Sequence, residues 1–162
     1  MSPGEIDRLV SEYRGRGLLL DSNLVVLLVV GAVSPECVAR HRRTSAYTSD
    51  DFEILQRFCG FFARLVTLPN VLTEASDLLY DGREQALLRA LCIESWDETT
   101  VVSREAAATR EYEYLGLADA AILSSTTASF LVLTDDNRLA AAIMNKQGPV
   151  IHFDWLRVIA AR

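Results

Sequence analysis

Hydrophobic positions along the chain change their spacing from one segment to the next. Residues 4–16 place apolar side chains on one side, which predicts a short amphipathic helix. Residues 18–20 form an uninterrupted apolar run that ends at an acidic residue, as a buried strand does. The valine-rich run at residues 24–30 fits a strand by propensity, but it also fits a helix capped by Ser22 or Asn23. The first quarter of the chain therefore predicts a helix, a buried strand and one ambiguous element.

The rest of the chain predicts mostly helices, with two more short strands near its end. Thr48 and Asp51 resemble a capping box at the start of one helix, and Gly116 separates two others. We predict helices over residues 52–66, 69–79, 83–93, 103–115, 117–128 and 135–146, strands at 130–133 and 150–151, and a last helix from residue 154. This order predicts a single α/β domain over residues 1–162, with a small parallel sheet flanked by helices in three layers.

Two segments lie outside that simple arrangement. Residues 1–17 form a helical extension before the first predicted strand, and residues 31–50 form a long connection. The connection carries the densest basic cluster of the chain, Arg40, Arg42 and Arg43. These arginines either contact phosphate groups or belong to an ordinary solvated loop, and the sequence favours neither.

Composition limits the possible classes of protein. Half of the 162 residues are hydrophobic, which is enough to bury a core without disulfides. The three widely spaced cysteines contain no Cys-x-x-Cys pair, which argues against a zinc ribbon and favours a reduced, cytoplasmic compartment. The apolar run at residues 24–30 is far shorter than the roughly 20 residues of a membrane span. The charged N-terminus does not resemble a signal peptide.

Charge and histidine content narrow the chemistry further. The net charge of -6 argues against nucleic-acid binding at first sight, because phosphate contacts need basic residues. That argument weakens for a nuclease that gathers acids around divalent metals and contacts phosphates through a local basic patch. The chain has only two histidines, and neither lies near a Gly-x-Ser-x-Gly turn, so mechanisms built on several histidines or on such a nucleophile turn are excluded.

Four acids stand where a merely solvated acid is not expected, although each has a structural alternative. Asp21 follows the first apolar strand and is either a helix cap or part of a site beyond the strand end. Asp119 has apolar neighbours on its helix, where a carboxylate is costly unless it is paired or bound to a metal. The alternative is an acid at the start of a helix, where the helix dipole stabilises its charge. Glu74 is an amphipathic boundary residue or a ligand. Asp136, like Asp135 before it, is a standard helix cap, and capping is compatible with metal contact.

These acids lie in segments that together resemble the PIN-domain nucleases, of which the toxins of VapBC-type pairs are familiar members. The segments are LLLDSN, PNVLTE, LADAAIL and FLVLTDDNRL, and the similarity runs from about Leu18 to Ile151. In the resemblance, the family's conserved acids match Asp21, Glu74, Asp119 and Asp136, with Asn23, Thr134 and Asp135 as supporting residues. The resemblance also favours a helix at residues 24–30.

The resemblance implies a ribonuclease that hydrolyses RNA phosphodiester bonds through carboxylate-bound Mg²⁺ or Mn²⁺ and leaves 5′-phosphates. It further implies a homodimer and an antitoxin protein as a possible partner. The long extension at residues 1–17 and the long connection at 31–50 depart from the compact toxins. The alternative is a catalytically inactive PIN-like binding module or an RNA-processing factor. A haloacid dehalogenase-type phosphatase fits less well because Asn23 stands where that family has a second Asp, and no Gly-x-Gly-x-x-Gly supports a Rossmann domain.

Overall fold

The computed structural model describes residues 1–125 and 130–161 and has a five-stranded, entirely parallel sheet at its centre. The strands are β1 (Leu18–Leu20), β2 (Leu65–Thr67), β3 (Trp96–Glu98), β4 (Leu131–Thr134) and β5 (Val150–His152). Their order across the sheet is β3-β2-β1-β4-β5. Helices flank this sheet, so the predicted α/β class with a small parallel sheet is confirmed.

Helices connect the parallel strands, as each parallel crossover requires, and one further helix lies at each end of the chain described. They are α1 (Pro3–Tyr13), α2 (Ser22–Val33), α3 (Ser49–Cys59), α4 (Pro69–Leu78), α5 (Gly82–Glu94), α6 (Ser103–Ala107), α7 (Tyr112–Leu115), α8 (Leu117–Ser125), α9 (Asn137–Asn145) and α10 (Phe153–Ala160). One 3₁₀ turn, Pro35–Cys37, lies in the long connection. None of the helices in the described ranges has both the length and the apolar character needed to span a lipid bilayer.

Helix α2 is the ambiguous valine-rich segment, and its burial explains the ambiguity. Nine of its 12 residues are buried, so it is apolar on every side rather than along one stripe. Gly31 allows α3 to approach closely, because a Cβ at that position would lie 2.2 Å from the Phe52 ring. The helix cap is Asp21, which agrees with the cap alternative given for that residue, and not Ser22 or Asn23. The helix at the centre of the core therefore begins at one of the candidate site residues.

The sheet is larger than the sequence predicted, since β2 and β3 were missed. The helix predicted over residues 52–66 instead ends at Cys59, and β2 begins at Leu65. Both strands have three residues, which is too short for a period-2 pattern to appear. The helix predicted over 103–115 is interrupted after α6, and the Thr109 hydroxyl donates to the Ala106 carbonyl oxygen at 2.7 Å in the turn.

Most other predicted boundaries agree closely with the structure. The capping box of Thr48 and Asp51 opens α3, and Asp136 caps α9. Gly116, with φ of 82°, adopts the left-handed conformation between α7 and α8 that glycine tolerates. The helix predicted over 117–128 is present as α8 to Ser125, and its last predicted residues, 126–128, lie outside the described residues.

Candidate functional site

The candidate site lies where the order of strands reverses in the sheet. The chain proceeds from β1 through β2 to β3 on one side, and β4 and β5 lie on the other side of β1. Strands β1 and β4 are direct neighbours, with Leu20 opposite Leu133, so the residues after them emerge side by side. In parallel sheets the crevice beyond the carboxyl ends of such strands is the usual ligand site. Asp21 follows β1 here, and Asp135 follows β4.

Asp21 is buried and fully engaged in hydrogen bonds. Only 3% of its surface is exposed. One carboxylate oxygen accepts from the Leu24 backbone N–H at 2.9 Å, and the other accepts from the Asp135 N–H at 3.0 Å and from the Thr134 hydroxyl. Burial and the nearby negative charge of Asp135 raise the pKa of Asp21 well above its usual range, although these hydrogen bonds oppose the shift. Asp21 thus joins β1, β4 and α2 at a single carboxylate.

Thr134 links this carboxylate to the start of α9. Its hydroxyl oxygen accepts from the Asp136 N–H at 2.9 Å while it donates to Asp21. One oxygen of Asp136 accepts from the backbone N–H groups of Arg138 at 2.6 Å and Leu139 at 3.1 Å, so it caps the helix. The other oxygen lies 3.6 Å from the Arg138 guanidinium. Asp136 is therefore a helix cap, as predicted, and its metal contact stays a prediction.

Glu74 and Asp119 approach from two further helices. Glu74 is exposed on α4, and one of its carboxylate oxygens accepts from the Ser22 hydroxyl at 2.7 Å. Asp119 lies half-buried in the first turn of α8. Burial, followed by the charges of Asp136 and Glu74, raises the pKa of Asp119 to about 7, and Arg138 opposes the shift. Carboxylates from α4, α8 and the start of α9 therefore interact electrostatically.

The side chain of Asp135, unlike that of Asp136, contacts the long connection at residues 31–50. Its carboxylate accepts from the Asn23 amide at 3.3 Å and from the Tyr47 hydroxyl. Its backbone carbonyl oxygen accepts from His152 Nε2 at 3.0 Å, since His152 Nδ1 already accepts from a backbone N–H. Tyr47 is buried, and the negative charge of Asp135 adds to burial in raising the pKa of its hydroxyl. Asp135 is thus held in place by three side chains.

Three residues at this site were not predicted from the sequence: Ser22, Tyr47 and His152. Tyr47 comes from the connection at residues 31–50, where nothing in the local pattern indicates that one side chain turns inward. Ser22 was considered only as a helix cap. His152 follows from the strand alignment, because it pairs in register with Thr134 on the neighbouring strand. Only a correct sheet order would have revealed it.

The three arginines predicted as phosphate contacts remain on the surface. Arg40, Arg42 and Arg43 are exposed, and Arg40 lies 3.9 Å from Glu36 on its own turn. Within residues 1–125 and 130–161, none of them forms a hydrogen bond or ion pair with a candidate site carboxylate. The connection that carries them nevertheless reaches the site, because Tyr47 is part of it.

The donor chemistry of the site suits a hard divalent cation, but the acids do not stand in a finished coordination shell. Oxygen ligands are those that Mg²⁺ and Mn²⁺ prefer, and burial, followed by the charges of Asp136 and Glu74, raises the pKa of Asp119. In the part of the chain that the structure describes, no three His, Cys, Asp or Glu side chains are grouped so that they could hold a metal ion. Oxygens of Asp21, Glu74 and Asp136 instead accept hydrogen bonds from hydroxyl and backbone N–H donors.

Fold and site together define an α/β protein with an acidic crevice at the strand-order reversal of a parallel sheet. Comparison of the chain with protein-family models, with curated proteins and with solved structures gives no match. The site itself must therefore carry the functional argument.

Proposed function

We propose that this protein is a ribonuclease of the PIN-domain class that depends on Mg²⁺ or Mn²⁺. The observation that carries the proposal is the meeting of acids at the ends of β1 and β4: Thr134 bonds to Asp21 and to the Asp136 N–H, and Ser22, next to Asp21, donates to Glu74 at 2.7 Å. Burial and the charges of Asp136 and Glu74 also raise the pKa of Asp119 to about 7. Acids brought together from separate helices repel one another, and this repulsion has a cost in free energy unless a bound cation offsets it. Helix capping accounts for Asp21 and Asp136 but not for Glu74 and Asp119, and a bound cation would account for all four.

Asp21, Glu74, Asp119 and Asp136 are the residues that would hold the cation. A bound divalent ion in such a site supplies an activated water and stabilises charge on phosphate oxygens. The carboxylate of Asp21 is oriented by Thr134, and Asn23 and Tyr47 fix Asp135 beside it. Glu74 is exposed and makes one hydrogen bond, to Ser22, so one of its carboxylate oxygens would remain for a cation.

The substrate and partners follow from the same proposal. The exposed guanidinium groups of Arg40, Arg42 and Arg43 are the proposed phosphate contacts for RNA, because they form the densest basic cluster in an acidic chain. Arg138, 67% exposed beside Asp136, extends basic character to the site itself. We also propose that the protein is cytoplasmic, that it forms a homodimer, and that an antitoxin protein restrains its activity.

The decisive experiment compares RNA cleavage by the wild-type protein and by Asp119→Asn. Purified protein is incubated with labelled single-stranded RNA in Mg²⁺, in Mn²⁺ and in EDTA. We expect cleavage only with metal, 5′-phosphate products, and a loss of about 100-fold or more in the variant, because water activation and charge stabilisation both depend on the metal.

The matched control is Asp7→Asn, since Asp7 is exposed on α1, outside the site. It should cleave RNA like the wild type. Cleavage that persists in EDTA, or that Asp119→Asn leaves undiminished, would refute the proposal.

A catalytically inactive binding module is the second candidate, and one observation favours it. The described residues contain no group of three side chains placed to hold a metal ion. An inactive, degenerate site would lack such a group as well. Such a module should bind RNA without cleaving it in either metal, and Mg²⁺ should leave its melting temperature unchanged.

A further inference from the structure

A cleft of about 610 Å³ adjoins the acidic crevice. Its walls are α4, the segment after β3, and the start of α8. Glu74 belongs to both the cleft and the acid cluster, and Ala118 in the cleft wall immediately precedes Asp119. Its volume lies within the range of about 300–1,000 Å³ that is common for small-molecule sites. A group bound in it would therefore lie directly beside the candidate metal ligands.

The charges of this cleft argue against phosphate as its occupant. The titratable side chains that line it are the acids Glu74 and Asp77. Of the described residues in its walls, none is Lys, Arg or His. A phosphate placed here would meet two carboxylates and no cationic partner, which is unfavourable. An uncharged group of the substrate fits better.

The remaining lining combines flat apolar surface with a free amide. Pro69, Val101 and Leu117 supply the apolar surface, and Leu117 is 38% exposed at its edge. The Thr73 hydroxyl is occupied, since it donates to the Pro69 carbonyl oxygen at 2.8 Å. The Asn70 side chain is partly buried and makes no hydrogen bond within residues 1–125 and 130–161. An amide offers a donor and an acceptor side by side, the pattern that reads the edge of a base.

We propose that this cleft binds one unpaired nucleobase of the RNA, next to the phosphate that is cleaved, and that Asn70 reads its hydrogen-bonding edge. The inference rests on the proposed ribonuclease function and names the part of the substrate that this surface recognises. Single-stranded RNA is recognised in this way, with the base inserted among apolar side chains and hydrogen-bonded along its edge. The protein should therefore prefer one base, or a class of bases, beside the cleavage position.

The first test measures binding without catalysis. Adenosine, guanosine, cytidine and uridine are each titrated in EDTA into ¹⁵N-labelled protein, and backbone amide shifts are followed by NMR. Shifts centred on Asn70, Thr73 and Val101, stronger for one nucleoside, are expected. Asn70→Ala should weaken the preferred nucleoside about tenfold, as the loss of a base-edge contact does. Asn145→Ala, a change at an exposed position at the far end of α9, should not.

The second test measures base preference in cleavage. Oligonucleotides that differ only at the base beside the cleavage position are compared. Asn70→Ala should reduce the ratio of kcat/KM between the preferred base and the other bases by about tenfold. Nucleosides that shift no cleft amides, or shift them equally in Asn70→Ala, overturn the inference even if RNA is cleaved. Nucleoside binding in the cleft without any cleavage would keep the base site and reject the nuclease.

Discussion

Two clusters of carboxylates in this protein differ in what surrounds them. In the first, Arg157 donates to Asp51 at 2.7 Å and to Asp154 at 2.6 Å. Burial opposes ionisation of Asp51, but the hydrogen bonds from Arg157 and Thr48 outweigh it and hold its pKa below the usual range. In the second cluster, burial and neighbouring acids raise the pKa of Asp119. Arg157 bonds directly to the acids of the first cluster, whereas in the second Arg138 lies 3.6 Å from Asp136 and offsets the rise in the pKa of Asp119 only in part.

Tyr47 stands between the two clusters and touches both. The Arg157 guanidinium lies 5.5 Å from the centre of its ring, and its hydroxyl donates to Asp135. The difference is therefore not one of location, since the clusters are neighbours in the same fold. The comparison teaches that burial alone does not define a functional acid. What distinguishes the candidate site is negative charge that Arg138 offsets only in part.

The largest effect on stability is expected in the compensated cluster. Asp51→Asn should lower the free energy of unfolding by about 2 kcal/mol, because it removes charge-assisted hydrogen bonds to a buried group. Urea denaturation measures the loss, and Asp50→Asn, an exposed neighbour, is the control. RNA cleavage per folded molecule should stay unchanged. Equal stability of the two variants would remove the distinction between the clusters.

Metal should act on the other cluster alone. At a concentration ten times its Kd, Mg²⁺ or Mn²⁺ should stabilise the wild-type protein by about 1.4 kcal/mol, because it binds the folded state. Asp119→Asn should lose this stabilisation, whereas Asp51→Asn should retain it despite its lower starting stability. Differential scanning calorimetry with and without metal decides the matter. Stabilisation that survives in Asp119→Asn would place the cation elsewhere.

A smaller effect is expected where the clusters meet. Tyr47→Phe keeps the ring beside Arg157 but removes the donor to Asp135, so it should cost about 1 kcal/mol of unfolding free energy. Thermal unfolding of the variant is compared with that of Tyr112→Phe, in which a 40% exposed tyrosine is changed. If Tyr47→Phe is as stable as the control, the hydroxyl does not hold Asp135.

The pH dependence of stability should have opposite signs in the two clusters. The pKa of Asp119 rises from 3.8 to about 7 on folding. Its contribution to the stability of the folded state is therefore present at acidic pH and is lost as the pH rises from 3.8 to about 7. Asp21 acts in the same direction. The lowered pKa of Asp51 acts oppositely and favours the folded state above pH 3.8.

Urea unfolding in EDTA at several pH values tests these signs. Between pH 4 and pH 7 the free energy of unfolding should fall less in Asp119→Asn than in the wild type, since only the wild type gives up that proton. Parallel curves for the two proteins would contradict the raised pKa.

The sequence predicted the elements whose pattern is local and missed those that depend on distant partners. Strand β1, the capping box of α3 and the cap of α9 each carry their signal within a few residues. Strands β2 and β3 do not, because β2 is defined by its pairing with β1 and β3 in the sheet. The predicted helix over 52–66 was wrong at its end for this reason.

The candidate site shows the same division. Asp21 and Asp136 were identified because each follows an apolar strand, and the structure brings the segments that carry them to adjacent strand ends. Tyr47 and Ser22 were missed because their contacts, to Asp135 and Glu74, span 88 and 52 residues of sequence. The arginine cluster stays a prediction, since exposure alone does not reveal a phosphate contact.

Because Asp21 caps α2, hydrogen exchange at the start of this helix reports on both the acid and the core. The Leu24 amide donates to the Asp21 carboxylate and belongs to a helix with nine buried residues. Opening this end of α2 would expose buried side chains, so we expect the Leu24 amide to exchange slowly. Glu74, exposed on α4, is under no such restriction. The two acids thus differ in their surroundings: Asp21 is tied to a helix of the core, and Glu74 lies on an exposed surface.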